Sequence, residues 1–332
     1  MYQNTSKEIF KMSIPMFFEL LLQLLVGNID QIMVSHYSQG SVAAIGNGNQ
    51  IMNIIILVLS SMTVATTVLI SRYFGAGDPE KAKSVSNASI YSLSFFSIVV
   101  TLLIYGFQRP LFQWLQVPNE ILDETCSYTV IVSTCVLIQA IYMVFASILR
   151  SHKLMKYVTF VAIIMNTLNI LGNAILINGL FGFPRLGIIG AAISTNISKF
   201  IGLVIIILVF LKKTNMGLGF LNLKYFSFNM AKKVLLIAVP SGGEAFSYQM
   251  SQLIILRFVN TFGTMVIASR SYCMILANIA YVYSMAIAQA TQILVGYLYG
   301  KGDYESIKKR VWNSVFISMA VSVSLTVIMM FN

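Results

Sequence analysis

Apolar residues run along the chain in nine long stretches separated by short polar breaks, with none of the alternation that marks strands. The stretches cover roughly residues 12–35, 44–71, 86–107, 124–149, 157–178, 187–211, 234–259, 270–299 and 311–331. A helix needs about 20 residues to cross the hydrocarbon of a bilayer, and each stretch meets that length. Two are longer than a span needs: no charged residue occurs from Ala43 to Ser71, nor from Ser271 to Tyr299. The pattern predicts an all-α, polytopic integral membrane bundle.

Composition narrows the class. Of the 332 residues, 57% are hydrophobic and 10% are charged, and the mean hydropathy is +0.80. A soluble domain carries about 25% charged residues. An ordinary globular enzyme, a coiled coil and a disordered chain are therefore excluded. The net charge of +11 would fit a nucleic-acid partner, but its placement decides otherwise. With the N-terminus on the cytoplasmic side, 17 of the 22 basic residues fall in cytoplasmic connections. Only Arg109, Arg185, Arg257 and Arg270 fall outside, and Lys199 lies within the sixth stretch. This is the positive-inside bias of a multi-pass protein of the cell membrane, so no nucleic-acid partner is expected. Cys126, Cys135 and Cys273 sit in apolar runs without CxxC spacing, and the two histidines offer no metal site. The first stretch is long, carries Glu19 and lacks an A-x-A site, which argues against a cleaved signal peptide.

An offset of 225 residues brings the chain onto itself. Pro15 then meets Pro240, Glu19 meets Glu244, Thr66 meets Thr291, and Gly75-Ala76-Gly77-Asp78 meets Gly300-Lys301-Gly302-Asp303. Six stretches lie between equivalent positions, so both copies enter the membrane in the same sense. That is a parallel repeat, one of the two repeat types of secondary transporters. It divides the chain into a six-helix lobe over 1–225 and a partial lobe of three helices over 226–332. A full second copy needs three more helices, so a fragment of a twelve-span protein or a truncated product is expected.

Four stretches resemble the multidrug and toxic compound extrusion (MATE) family of cation-coupled antiporters. They are Ile14-Pro15 with Asn28-Ile29-Asp30-Gln31-Ile32-Met33-Val34, the Gly75–Asp78 loop with Pro79, Asn169–Asn173 with Gly187-Ile188-Ile189-Gly190-Ala191-Ala192, and Pro240 to Glu244. The likeness runs along the whole chain. It implies a MATE-like fold and export of hydrophobic or cationic drugs in exchange for Na⁺ or H⁺, with no other cofactor. Drugs or organic cations and membrane lipid are the expected partners, and the expected state is a monomer.

Three acids lie inside the apolar stretches: Glu19, Asp30 and Glu244. An intramembrane charge costs at least ~3 kcal/mol on insertion scales and so marks ion or substrate paths. Glu19, Gln23 and Asp30 share one helical face, with Glu19 and Asp30 about 16 Å apart along the axis. Glu244, Ser247, Tyr248 and Ser251 form a similar stripe, and both stripes are expected to face one cavity between the lobes. Glu19, Asp30 and Glu244 are the candidate cation-coupling residues, and the resemblance implicates the positions of Asp30 and Glu244. Gln23, Asn169, Asn173, Lys199, Tyr248 and Ser251 are candidates for the cavity lining. Some family members carry an aspartate near Asn173; the amide here is read as a hydrogen-bonding group. Lys199 is expected either to pair with an acid of the first lobe or to touch substrate. Pro15 and Pro240 each remove a helix hydrogen bond and are candidate hinges. Gln139, Asn166, Gln289 and Gln292 are read mainly as helix–helix glue. The two GxGD loops lack the strand and the GK[ST] of a phosphate cradle, so they are read as helix stops and caps.

Two rivals stand beside this reading, the first from the same broad superfamily and the second from a different class. A flippase for lipid-linked sugars would line its cavity with several basic residues, of which Lys199 is the one candidate. A membrane enzyme would need HExxH, GxSxG or paired aspartates, and none occurs. A non-transporting truncated product is the third reading.

Overall fold

The computed structural model describes residues 5–35, 39–214, 216–260 and 264–330. They form ten α-helices: α1 (Thr5–Ser35), α2 (Gln39–Gly75), α3 (Pro79–Trp114), α4 (Asn119–Ser133), α5 (Val136–Ser151), α6 (Met155–Asn178), α7 (Gly187–Lys213), α8 (Phe228–Asn260), α9 (Thr264–Lys301) and α10 (Tyr304–Met330). Each of the nine apolar stretches lies within one helix except the fourth, which is divided between α4 and α5. Among the described residues, α1, α2, α3, α6 and α7 are long and apolar enough to span a membrane, and α4 with α5 makes a sixth span bent by 42°.

The bend has a local cause. At its centre the Cys135 amide donates to the Val132 carbonyl, three residues back, and the Ile131 carbonyl is left without its helical donor. Thr134 Oγ1 donates to that carbonyl at 2.7 Å, and Asn196 Nδ2 of α7 donates to it at 2.6 Å. Backbone freed at membrane depth must be satisfied by side chains, and a threonine and an asparagine do it here.

The core lies where α2, α3, α5 and α7 meet. Phe145, Phe210 and Phe220 pack edge to face, with centroids 5.1, 5.8 and 6.5 Å apart. Phe220 belongs to the linker after α7. Asn87 and Tyr91 of α3 hold that linker by donating to its carbonyls at Phe220, Leu221 and Asn222. The outer surface is apolar instead of charged: Phe95 and Trp114 of α3 are 71% and 78% exposed. Such a face suits contact with lipid. Cys126 and Cys135 are buried free thiols, while the side chain of Cys273 lies outside the described residues.

The repeat recurs hydrogen bond by hydrogen bond. Thr66 Oγ1 of α2 donates to Ser89 Oγ of α3 at 2.8 Å, and Thr291 of α9 donates to Ser314 of α10 at 2.7 Å. At the end of α2, Gly77 sits at φ +72° while the Gly77 and Asp78 amides reach back to the Phe74 and Tyr73 carbonyls. At the end of α9, Gly302 sits at φ +76°, and the Gly302 and Asp303 amides reach the Tyr299 and Leu298 carbonyls. Both are glycine-terminated Schellman ends. Asp78 and Asp303 then accept from the amides of Lys81 and Ser306, which caps α3 and α10. Bonds from Lys81 hold the Asp78 carboxyl below the usual carboxylate range, and bonds from Ser306 do the same at Asp303. The GxGD loops are stops and caps, as the sequence predicts.

The equivalent helices α2 and α9 also cross each other, and the crossing is reciprocal under the 225-residue offset. A Cβ at Gly75 would overlap the Tyr297 carbonyl, and one at Gly300 would overlap the Arg72 carbonyl. Gly296 lies against its own counterpart, Ser71. Arg72 stands over the Tyr299 ring at 4.6 Å, and the equivalent pair, Tyr297 and Phe74, stacks at 6.4 Å. Contacts that return on exchange of partners are the mark of a two-fold axis.

Glycine at this crossing should be required. Gly75→Ala and Gly300→Ala each force two backbones apart, a cost of about 1–3 kcal/mol. They should lower the thermal midpoint of the detergent-solubilised protein by similar amounts. Gly106→Ala in mid-α3, where a Cβ meets nothing within 4 Å, should leave it unchanged or raise it, since alanine favours a helix by up to about 1 kcal/mol.

Candidate functional site

Two polar networks stand along α1, and they are separate. The first is an ion pair. Glu19 Oε1 accepts from Arg150 Nη2 at 2.5 Å, and the two side chains are 15% and 22% exposed. Arg150 lies in the last turn of α5, so the pair ties α1 to the end of the bent span. Next to it, the carbonyl of Pro15 accepts from Thr159 Oγ1 of α6 at 2.8 Å. The second network lies about three turns further along. Asp30 is half-buried, and its Oδ1 accepts from Asn173 Nδ2 of α6 at 2.7 Å. Tyr128 of α4, which donates to Asn49 Oδ1 at 3.1 Å, lies in the same region. Asn173 Oδ1 is buried without a partner.

The ion pair borders a cavity of about 250 Å³ enclosed by α1, α2, α5, α6 and α9. Its apolar wall includes Met16, Met143 and Met165. Its polar wall is Ser60, Thr63, Thr67 and Tyr142 with five amides: Gln23, Gln139, Asn166, Gln289 and Gln292. Glu19 and Arg150 are the only full charges in the lining, and they neutralise each other.

Several expectations are met in part. Glu19 and Gln23 line the cavity, but Asp30, Glu244, Tyr248 and Ser251 do not. The single stripe read on the first helix is divided because α1 meets two partners: α5 at Glu19 and α6 at Asp30. The far wall of the cavity comes from α9, whereas the expected helix was α8. The α8 stripe is open: Glu244, Tyr248 and Ser251 are all exposed, and Glu244 has no ion pair among the described residues. Asn169 and Asn173 are buried between α6 and α7 or α1, with Asn169 Nδ2 donating to Thr195 Oγ1 at 3.2 Å. Lys199 is half-buried and makes no ion pair among the described residues; the cation that pairs with Glu19 is Arg150. Glu19 therefore does not stand with Asp30 as an uncompensated carboxylate. Pro15 and Pro240 lie inside continuous helices, and no break marks either one.

In sequence, Arg150 falls in a cytoplasmic connection because it stands at the end of an apolar stretch. The signal that could have found its role is Glu19, two to three turns into the first stretch and in need of a cation within reach. Gln139, Asn166, Gln289 and Gln292, read as glue, line the cavity.

The comparisons with known proteins fit this geometry. The MatE family model matches residues 15–175 and again 240–332, and the two matches begin 225 residues apart. The chain belongs to the MATE family. It is 33% identical over 321 residues to the uncharacterized transporter YisQ of Bacillus subtilis, covering 97% of this chain and 70% of that one. It is 26% identical to the probable multidrug resistance protein NorM of Thermotoga maritima, with 97% and 69% covered. Two solved structures share the fold. A MATE protein in its straight conformation superposes at a TM-score of 0.90, with 23% identity and 99% and 73% of the chains covered. An outward-facing MATE multidrug resistance transporter also gives 0.90, with 22% identity and 99% and 72% covered. The MATE chain is thus a multi-pass membrane transporter with an all-α bundle.

Removing one member of the Glu19–Arg150 pair leaves the other charge buried and alone, at a cost of about 3–5 kcal/mol. Arg150→Met should therefore lower the thermal midpoint sharply. The double variant Glu19→Gln/Arg150→Met should recover most of the loss, and a double-mutant cycle by thermal unfolding in detergent measures the difference.

Proposed function

We propose that this MATE chain exports hydrophobic or cationic drugs across the cell membrane in exchange for Na⁺ or H⁺. It acts as a monomer with its N-terminus in the cytoplasm and needs no other cofactor. In this reading residues 1–225 form one lobe and 226–332 belong to the second. Asp30 and Glu244 are the coupling groups.

One observation carries the reading. Asp30 stands within a membrane-spanning helix, and its hydrogen-bond partner is a neutral amide, with no cation in ion-pair range among the described residues. A carboxylate in that setting requires a countercharge or a proton. Taking up either one removes the buried charge and biases α1 between inward-open and outward-open states. Glu244 is the repeat-related counterpart of Glu19, but among the described residues no cation pairs with it. It keeps the open carboxylate that Glu19 has lost to Arg150. The multidrug names of the relatives support the substrate class. The flippase reading loses ground at the cavity, where the single cation is already neutralised and no positive surface faces a pyrophosphate.

The test is dye efflux from vesicles holding the full chain under an imposed Na⁺ or H⁺ gradient. Asp30→Asn and Glu244→Gln should each reduce gradient-driven efflux by tenfold or more, and the double variant should lose its ion dependence. Unchanged efflux with unchanged ion dependence in the double variant would remove the coupling claim.

A further inference from the structure

The cavity beside α1 is small for a bulky organic cation. At about 250 Å³ it is smaller than the ~300–1,000 Å³ of pockets that take drug-sized ligands. Its two full charges cancel, so a ligand with net charge would bring an uncompensated charge into the membrane interior.

Its polar groups are nevertheless poised and unused. Tyr142 is 6% exposed, and its hydroxyl has no hydrogen-bond partner. Arg150 gives one guanidinium nitrogen to Glu19, while its Nε–H is buried with no partner. Both groups are donors, and both residues line the cavity. A buried donor left unmade costs about 1–3 kcal/mol, so two at one site call for an acceptor from outside the protein. The second oxygen of Glu19 accepts no hydrogen bond among the described residues and offers a place for a cationic donor. The five amides of the lining can each donate and accept, and none is engaged by another side chain among the described residues. The cavity therefore offers a donor pair for an anionic oxygen, a carboxylate for an ammonium, and amides for whatever lies between.

We propose that this cavity binds a small zwitterion, a net-neutral molecule with an ammonium and a carboxylate. The ammonium meets Glu19, and the carboxylate meets Tyr142 Oη and Arg150 Nε while the ion pair stays intact. The proposal concerns binding and stands apart from the coupling roles of Asp30 and Glu244. A loss of coupled efflux in their variants leaves it untouched.

Tyr142→Phe separates this role from folding. The hydroxyl makes no bond inside the protein, so its removal should leave the thermal midpoint of the free protein the same or higher. The full chain, purified in nanodiscs, is titrated with glycine, β-alanine and γ-aminobutyrate. Ethylamine is the cation-only control and propionate the anion-only control. A ligand that binds the folded state raises the midpoint by mass action. At least one zwitterion should raise it with saturation, and neither control should do so at the same concentration. Tyr142→Phe should weaken that zwitterion tenfold or more. The proposal is overturned if no zwitterion of the series raises the midpoint. It is equally overturned if ethylamine or propionate raises it as much, or if Tyr142→Phe binds as tightly as the parent.

Discussion

The crossing of α2 and α9 fixes the rest of the molecule. At Gly75, Gly296 and Gly300 the two helices approach to backbone contact, a distance no side chain would permit. Small residues at a crossing are the usual means of bringing membrane helices together, because lipid supplies no hydrophobic drive between them. The consequence is felt two turns away. Gln289 and Gln292 lie about 6 to 10 Å along α9 from Gly296, so the close crossing carries their amides over the cavity bordered by Glu19. A wider crossing would withdraw the α9 wall. Ile9, Met12 and Met16 of α1 pack with Ala286, Ile287, Ala290 and Ile293 of α9, and this contact seats α1 in the same arrangement.

The two halves of the repeat share hydrogen bonds and caps but differ where chemistry is placed. Thr66–Ser89 and Thr291–Ser314 are equivalent, and so are the Schellman ends at Gly77 and Gly302. Glu19 and Glu244 are equivalent in sequence and unlike in setting. Glu19 has Arg150 from α5, two helices beyond α3 in its own half, while Glu244 lies exposed on α8. The same register thus holds an ion-paired acid in one half and an exposed acid in the other.

Much of this was legible in sequence. The apolar stretches located the helices because membrane spans must be long and uncharged. The offset repeat survived because Pro, Gly and Asp stand where backbone geometry demands them. The caps at Asp78 and Asp303 could be read from local chemistry alone. The bend at Thr134–Cys135 could not, because it depends on Asn196, some 60 residues away. The role of Arg150 was hidden for a similar reason: a basic residue at the end of a stretch reads as a topology signal, and its reach towards Glu19 exists only after α1 and α5 have packed. Asn173 reads in sequence as a cavity residue, but its partner is Asp30, a pairing that spans 143 residues. Short-range constraints leave patterns in a sequence, and side-chain partnerships between helices do not.

The separation of the two networks on α1 bears on mechanism. A single stripe of acids facing one cavity would make ligand and coupling ion compete for the same charge. Here the acid beside the cavity is neutralised by arginine, and Asp30, with no ion pair among the described residues, lies about three turns away, held by an amide of α6. Thr159 grips the Pro15 carbonyl and Asn173 grips Asp30, so α6 holds α1 at both networks. Neutralising Asp30 weakens one of these two holds and leaves the other in place. Under the proposed coupling, a charge change at Asp30 is passed towards Glu19 through α1, the helix the two networks share.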